Sequence, residues 1–299
     1  MTRTVGVVVV THNSESVVDG VLDSVAAAMD GHAHLVTVVD NGSTDDTVDR
    51  VRLHHGVAVL EQANRGYSAG INAGVAALPS ADVILVLNPD VRLEAGSVVA
   101  MLSVLDDPNV GVVAPRLLDP DGTIAHSLRR APTLARAMGL SFTRRPTFSE
   151  AVTEPAAYQV RHPVDWATGA VLLIRRECHE ALGGWDESYF LYSEETDFCL
   201  RAADAGWRTE FEPAASALHI GGASGRSGRT HTIQTLNRVR LYARRHGRRA
   251  GLVYLGFMTA SQAVKAVRGR PESREALVAL IRPRRRPVEL GAGVSLIPR

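Results

Sequence analysis

The chain is expected to be an α/β protein, and three observations predict it. β-Branched apolar runs alternate with stretches of helical spacing over the first 118 residues. The runs lack polar alternation, as expected of strands buried on both faces of a mostly parallel sheet. Turn-forming polar clusters follow them, at the carboxyl ends where ligands gather in such sheets.

The first run is Val5-Gly6-Val7-Val8-Val9-Val10, and it opens into Thr11-His12-Asn13. Helical spacing follows through Val18, Val21, Leu22, Val25 and Ala26. Leu35-Val36-Thr37-Val38-Val39 is a second buried strand, closed by Asp40-Asn41-Gly42-Ser43-Thr44. Asp45-Asp46 begins another helix, where acids suit the first turn. A strand over 57–60, a helix over 68–77 and a strand over 83–87 continue the alternation, which calls for crossover helices. A helix at about 95–105 and a strand at about 110–114 complete the first half.

Residues 119–163 lose periodicity and collect Pro120, Pro132, Pro146, Pro155 and Pro163. A loop of that length is expected to be a lid or an unstructured insertion. Beyond it come a strand over 170–174, a helix over 177–182, the turn Gly183-Gly184-Trp185-Asp186, a helix from about Ser193 and a strand over 209–211. Residues 230–245 and 251–267 are the last helices.

With 45% hydrophobic and 22% charged residues, the composition excludes a disordered chain. The net charge of +1 conceals an asymmetry: residues 244–299 hold 13 Arg and Lys against 3 Asp and Glu. A basic tail on an acidic body suits an anionic surface. Residues 251–267 are too short and interrupted for a membrane span, so either an interfacial helix or one packed on the domain is expected. No nucleic-acid partner is expected. Cys178 and Cys199 have no disulfide or metal spacing, and the Val5–Val10 run is too short for a signal segment, so a reduced, cytoplasmic setting is expected.

Three polar clusters carry chemistry. Asp90, behind Pro89 at a strand end, can present a carboxylate to a hard divalent cation bound to a diphosphate, or can simply close a turn. Asp40 can accept from a nucleoside N3–H or a ribose hydroxyl, or can close an Asx-turn on Gly42. Asn64-Arg65-Gly66 has the same two readings.

The order of these clusters resembles that of family-2 glycosyltransferases with the GT-A fold. The resemblance spans about residues 4–245. It rests on Val8-Val9-Val10-Thr11-His12-Asn13, Asp40-Asn41-Gly42-Ser43-Thr44-Asp45, Asn64-Arg65-Gly66-Tyr67 with Gly70 and Asn72, and Leu87-Asn88-Pro89-Asp90. Thr168-Gly169-Ala170, Gly183-Gly184-Trp185-Asp186-Glu187, Tyr192-Ser193-Glu194-Glu195-Thr196-Asp197 and Leu218-His219 complete it. Within the family, Asn-Pro-Asp and residues 183–201 look most like bacterial rhamnosyltransferases that use dTDP-rhamnose.

The resemblance implies an inverting transfer from a nucleotide sugar, dTDP- or UDP-linked, to a glycan or polyprenyl-diphosphate-linked acceptor. It divides the chain into a catalytic domain over 1–245, with a nucleotide-sugar half over 1–118 and an acceptor half over 119–245, and a basic helical extension over 246–299. Thr11, Asn13, Asp40, Asn64, Arg65, Gly66, Asn88 and Asp90 would bind the donor. Asp90 and His219 would hold Mg²⁺ or Mn²⁺; the commoner Asp-x-Asp has an acid where this chain has the neutral Asn88. Glu195 would be the base, with Glu194 and Asp197 as alternatives, although acids also favour a first helical turn without any catalytic task. Trp166, Gly169, Trp185 and Asp186 would line the acceptor pocket, with Trp166 equally suited to a core. Gly-rich 221–225 with Arg226 and Arg229 could close over phosphate. A UDP-hexose transferase and a non-catalytic nucleotide-sugar-binding protein are the competing readings.

Overall fold

The computed structural model describes residues 3–143, 145–221, 227–290 and 295–298. The expected loop closure at 222–226, with Arg226, lies outside them. The first half runs β1 (Val5–Thr11), α1 (Val18–Met29), β2 (His34–Asp40), α2 (Thr47–Arg52), β3 (Val57–Glu61), α3 (Tyr67–Ala76), β4 (Val83–Leu87), β5 (Val91–Leu93), α4 (Ser97–Val104) and β6 (Val110–Leu118). Then come β7 (Leu128–Arg129), α5 (Leu134–Ala137), β8 (His162–Val164), β9 (Trp166–Ala167), β10 (Val171–Arg175), α6 (Arg176–Ala181), α7 (Glu194–Asp204), β11 (Arg208–His219), α8 (Gly228–Val267) and α9 (Pro271–Ile281).

The valine runs are buried because the sheet is covered on both sides. Val5, Val7 and Val9 of β1 enter one core, while Val8 and Val10 enter the other. The main sheet has the order β3-β2-β1-β4-β10-β6-β11-β5, with β8 also on β11. β1 pairs in parallel with β2 and β4, and β2 with β3. β10 lies antiparallel between β4 and β6, whereas β6 and β11 are parallel. The sheet is therefore mixed and mostly parallel, flanked by helices.

Two stretches differ from the sequence expectation. Residues 119–163 form neither a bare loop nor a loose insertion: they contain β7, α5, β8 and three short 3-10 turns. Tyr158 fixes them from inside, fully buried, its hydroxyl accepting from the Leu128 backbone at 3.1 Å and donating to the Val152 carbonyl at 3.0 Å. The short strand expected over 209–211 extends to His219, because its far end pairs with β5.

The two C-terminal helices expected from periodicity are the limbs of α8. Gly247 breaks it with φ 80° and ψ 174°, a left-handed φ that favours glycine. The second limb folds back on the first, so Tyr242 stacks on Tyr254 at 4.2 Å and His231 Nε2 meets Gln262 Oε1 at 3.1 Å. Both limbs and α9 share a third core, with Leu236, Val239, Met258 and Leu280. Residues on both sides of the boundary expected at 246 therefore pack in the same cluster. Tyr254, Met258 and Ala266 of the second limb are buried, and Leu252, Val253, Val264 and Val267 are exposed. Among the described residues no helix is long and apolar enough to cross a membrane.

Candidate active site

The carboxyl ends of β1, β2 and β4 and the loop before α3 meet on one edge of the sheet. Asp40, buried at the end of β2, accepts from Thr11 Oγ1 at 2.9 Å, from the Ser43 backbone N–H at 2.8 Å and from the Ser43 hydroxyl. Its oxygens therefore organise the loop. Asn13 is exposed beside it, donating its backbone N–H to Ser43 Oγ and accepting from the Thr44 backbone, both at 2.8 Å. Asn41, which the sequence reading did not single out, ties this loop to the next by donating to the Gly66 carbonyl at 3.1 Å.

Asn64 accepts from the Gly66 backbone at 3.1 Å, and exposed Arg65 pairs with Glu187 at 2.7 Å. Gly66 has φ 94°, and a Cβ there would lie 2.4 Å from the Phe190 carbonyl oxygen. Only glycine allows that approach, which lets the Tyr67 N–H donate to Phe190 at 2.9 Å.

Asp90 and His219 are brought together by sheet pairing. β5 begins immediately after Asp90, His219 registers with Val91, and the Ile220 N–H donates to the Asp90 carbonyl at 2.9 Å. His219 Nε2 then lies 3.4 Å from Asp90 Oδ1. Asp90 is buried, and this oxygen has no hydrogen bond. Asn88 is spent differently: its Oδ1 accepts from the Tyr67 hydroxyl at 2.7 Å, and its backbone N–H donates to Ala170 at 2.9 Å.

Tyr67 links this corner to the acidic helix. Burial, and then the charges of Glu194, Glu195 and Asp90, hold its hydroxyl well above the ordinary value. Gly169 packs close to both: a Cβ there would lie 3.3 Å from that of Glu195 and 4.0 Å from the Tyr67 ring. Tyr67 is a site residue that the sequence offers only as the last letter of a motif.

The three candidate bases separate by environment. Asp197 is bound to Arg201 Nε at 2.6 Å, and Arg201 also donates to the Leu182 and Gly184 carbonyls, so this pair braces the glycine turn. Burial, reinforced by Glu195, raises the Glu194 carboxyl well above the usual range. Burial also raises Glu195, against the pull of backbone N–H groups and of Arg129. Glu195 lines a cavity of about 310 Å³ with Trp166, and neither Glu194 nor Asp197 does.

The backbone ahead of these acids is strained. Tyr192 and Ser193 both take positive φ, 67° and 75°, which costs of order 1–3 kcal/mol for each. Fully buried Asn237 of α8 holds the turn by donating to the Leu191 and Tyr192 carbonyls, both at 3.0 Å. No local sequence signal marks that role.

The two tryptophans part company. Trp166 borders the cavity, donates to the Arg130 carbonyl at 3.1 Å and has the Arg129 guanidinium 5.9 Å from its ring centre. Trp185 is 3% exposed and stacks on Phe198 at 4.7 Å, which places it in the core behind the turn and not in the acceptor pocket. Asp186 is likewise engaged elsewhere, paired with Arg244 of α8 at 2.7 Å. Asn72 clamps the same turn, exchanging hydrogen bonds of 2.9 Å with the Trp185 backbone. Arg229, expected near phosphate, is paired with Glu289.

Comparison with known proteins agrees with this frame. The family described as "Glycosyltransferase like family 2" matches residues 2–288. An N-acetylglucosaminyl-diphospho-decaprenol L-rhamnosyltransferase of Mycobacterium tuberculosis is 33% identical over 237 residues, 73% of this chain and 76% of that protein. The rhamnosyltransferase WbbL of Escherichia coli K12 is 24% identical over 234 residues, 74% and 85% of the two chains. A mannosyltransferase from Pyrobaculum calidifontis, solved with GDP-Man and Mn²⁺, superposes with a TM-score of 0.57 at 20% identity, covering 94% of this chain and 81% of that one. This last likeness shows the GT-A fold.

Proposed function

This chain belongs to the glycosyltransferase-like family 2 and is a glycosyltransferase, and from that premise we propose that it moves L-rhamnose from dTDP-β-L-rhamnose, with inversion, to a hydroxyl of a polyprenyl-diphosphate-linked sugar in cell-envelope polysaccharide assembly. The observation that carries the reading is a linked site: Asn88, two residues before Asp90, accepts from the Tyr67 hydroxyl, which also donates to the Gly169 carbonyl, and Gly169 lies against Glu195 of the cavity. It joins a diphosphate-side carboxylate to a proton acceptor. The rhamnosyl and lipid-linked parts rest on the likeness to two rhamnosyltransferases, one of them named for a diphospho-decaprenol acceptor. The acid cluster counts against a non-catalytic binding protein.

In the proposed step, Glu195 takes the proton of the acceptor hydroxyl, whose oxygen forms a bond to the anomeric carbon. The bond from that carbon to the diphosphate breaks on the opposite face, and the nucleoside diphosphate leaves with the electron pair. Thr11, Asn13, Asp40, Asn64, Arg65 and Gly66 would frame the nucleoside, with Asp40 shaping the loop that holds it.

The residues fit a divalent cation that arrives with the donor. Asp90 offers a buried oxygen without a hydrogen bond, and His219 stands beside it. Diphosphate oxygens and water would complete the shell of such a cation. Mg²⁺ or Mn²⁺ there would act as a Lewis acid that neutralises the departing diphosphate.

A thermal-shift panel of dTDP- and UDP-sugars, each with Mg²⁺ and with EDTA, tests the donor. The largest stabilisation is expected from dTDP-rhamnose with metal; a larger one from a UDP-hexose would replace rhamnose in the reading.

The exposed Leu252, Val253, Val264 and Val267, with Arg248, Arg249, Arg268 and Arg270 at the ends of their limb, would let the enzyme rest on the cytoplasmic face of an anionic membrane. Flotation with phosphatidylglycerol liposomes but not with phosphatidylcholine ones is the expected result. Equal behaviour with both would remove the membrane contact.

A further inference from the structure

The cavity beside Glu195 is enclosed by the 119–163 segment, the start of α7 and both limbs of α8. Arg129, Arg136, Arg238 and Lys265 line it, facing two carboxylates, Glu150 and Glu195. Glu150 is already paired with Arg238. Among the described residues the guanidinium groups of Arg129 and Arg136 donate only to backbone carbonyls, those of His126 and Leu128 and those of Ala131 and Pro146. The ammonium of Lys265, the one lysine of the chain, makes neither a hydrogen bond nor an ion pair among the described residues.

Three cations thus share a partly buried space in which none of them makes a salt bridge among the described residues, with Glu195 and Glu150 the acids of the same cavity. Burial and the neighbouring Arg238 and Arg270 pull Lys265 below its ordinary value, and burial does the same to Arg129. Gathering cations in low dielectric is costly unless an anion meets them. A group with several charged oxygens would meet all three. Met138, Phe142 and Val264 are 44%, 74% and 51% exposed and stand within three residues in sequence of the lining residues Ala137, Gly139 and Lys265.

We infer that this cavity is the diphosphate site of the acceptor. Arg129, Arg136 and Lys265 hold the two phosphates of a lipid diphosphate, the attached sugar reaches Glu195, and the lipid leaves over Met138, Phe142 and Val264. The inference rests on the lipid-linked acceptor proposed above. It adds that the helical hairpin supplies part of the substrate site, through Lys265.

Calorimetry with farnesyl diphosphate, farnesol, dTDP and UDP tests it, on the parent and on the Arg136→Ala/Lys265→Ala double variant. The expected result is farnesyl diphosphate binding at least about tenfold weaker in the variant, a loss of roughly 1.4 kcal/mol, with nucleotide binding unchanged. Lys265→Gln alone should move in the same direction, and intact nucleotide binding certifies that each variant is folded. Equal binding of farnesyl diphosphate by parent and variant would overturn the assignment. So would farnesol bound as tightly as its diphosphate, or a loss falling on dTDP and UDP, which would give the cavity to the donor. A parent that binds farnesyl diphosphate through these residues but neither nucleotide would support the site and count against the donor reading instead.

Discussion

Glu195→Gln is expected to fold and bind donor as the parent does while losing transfer by about 10²- to 10⁴-fold, the usual worth of a positioned general base. The amide keeps the shape of the side chain and cannot take a proton. Neither neighbour is placed to replace it, because Glu194 is buried outside the cavity lining and Asp197 is committed to Arg201. The same environment sets a pH dependence. Burial raises the Glu195 carboxyl above its ordinary 4.5, and the base acts only when ionised. Transfer by the parent should therefore fall as pH is lowered through a midpoint above 4.5, and the limb should vanish from the residual rate of the variant. Single-turnover rates across pH, with donor affinity measured in parallel, check both parts. Undiminished transfer by Glu195→Gln would take the base role away from it.

Asp90→Ala should abolish the metal-dependent part of donor binding. The parent is expected to bind dTDP at least about tenfold more tightly with Mg²⁺ than with EDTA, roughly 1.4 kcal/mol, and the variant equally in both. Asn88 cannot compensate, because it is neutral and its oxygen is held by Tyr67 at 2.7 Å. Removing a buried carboxylate oxygen that lacks a hydrogen bond should not lower the melting temperature in EDTA, since a buried unpaired polar group is a cost to the fold. That separates loss of metal from loss of structure. A Mg²⁺ effect of the same size in the variant would detach Asp90 from the cation.

Most of the α/β half was legible because its signals are local. Strands buried on both faces must be apolar at every position, so Val5–Val10 and Val83–Leu87 announce themselves without reference to the rest of the chain. Turn residues must follow such strands, and so the Asp40 and Asp90 loops stood out. Residues whose meaning depends on a partner did not. Trp166 and Trp185 look alike in sequence, and only packing puts one on the cavity and the other on Phe198. Residues 119–163 appear patternless because their order comes from Tyr158 and short pairings, which leave no period.

The sequence by itself determined the fold class, the family and the set of strand-end loops, because burial and turn geometry constrain residue type position by position. Only the tertiary structure decided which of those residues meet. β5 is three residues long, too short to show periodicity, and it exists because β11 runs far enough to pair with it. That long-range pairing sets His219 against Asp90, as the Gly66 and Gly169 approaches set Tyr67 against the acids. Contacts between residues more than a hundred positions apart are selected by packing energy, which no local window of sequence contains.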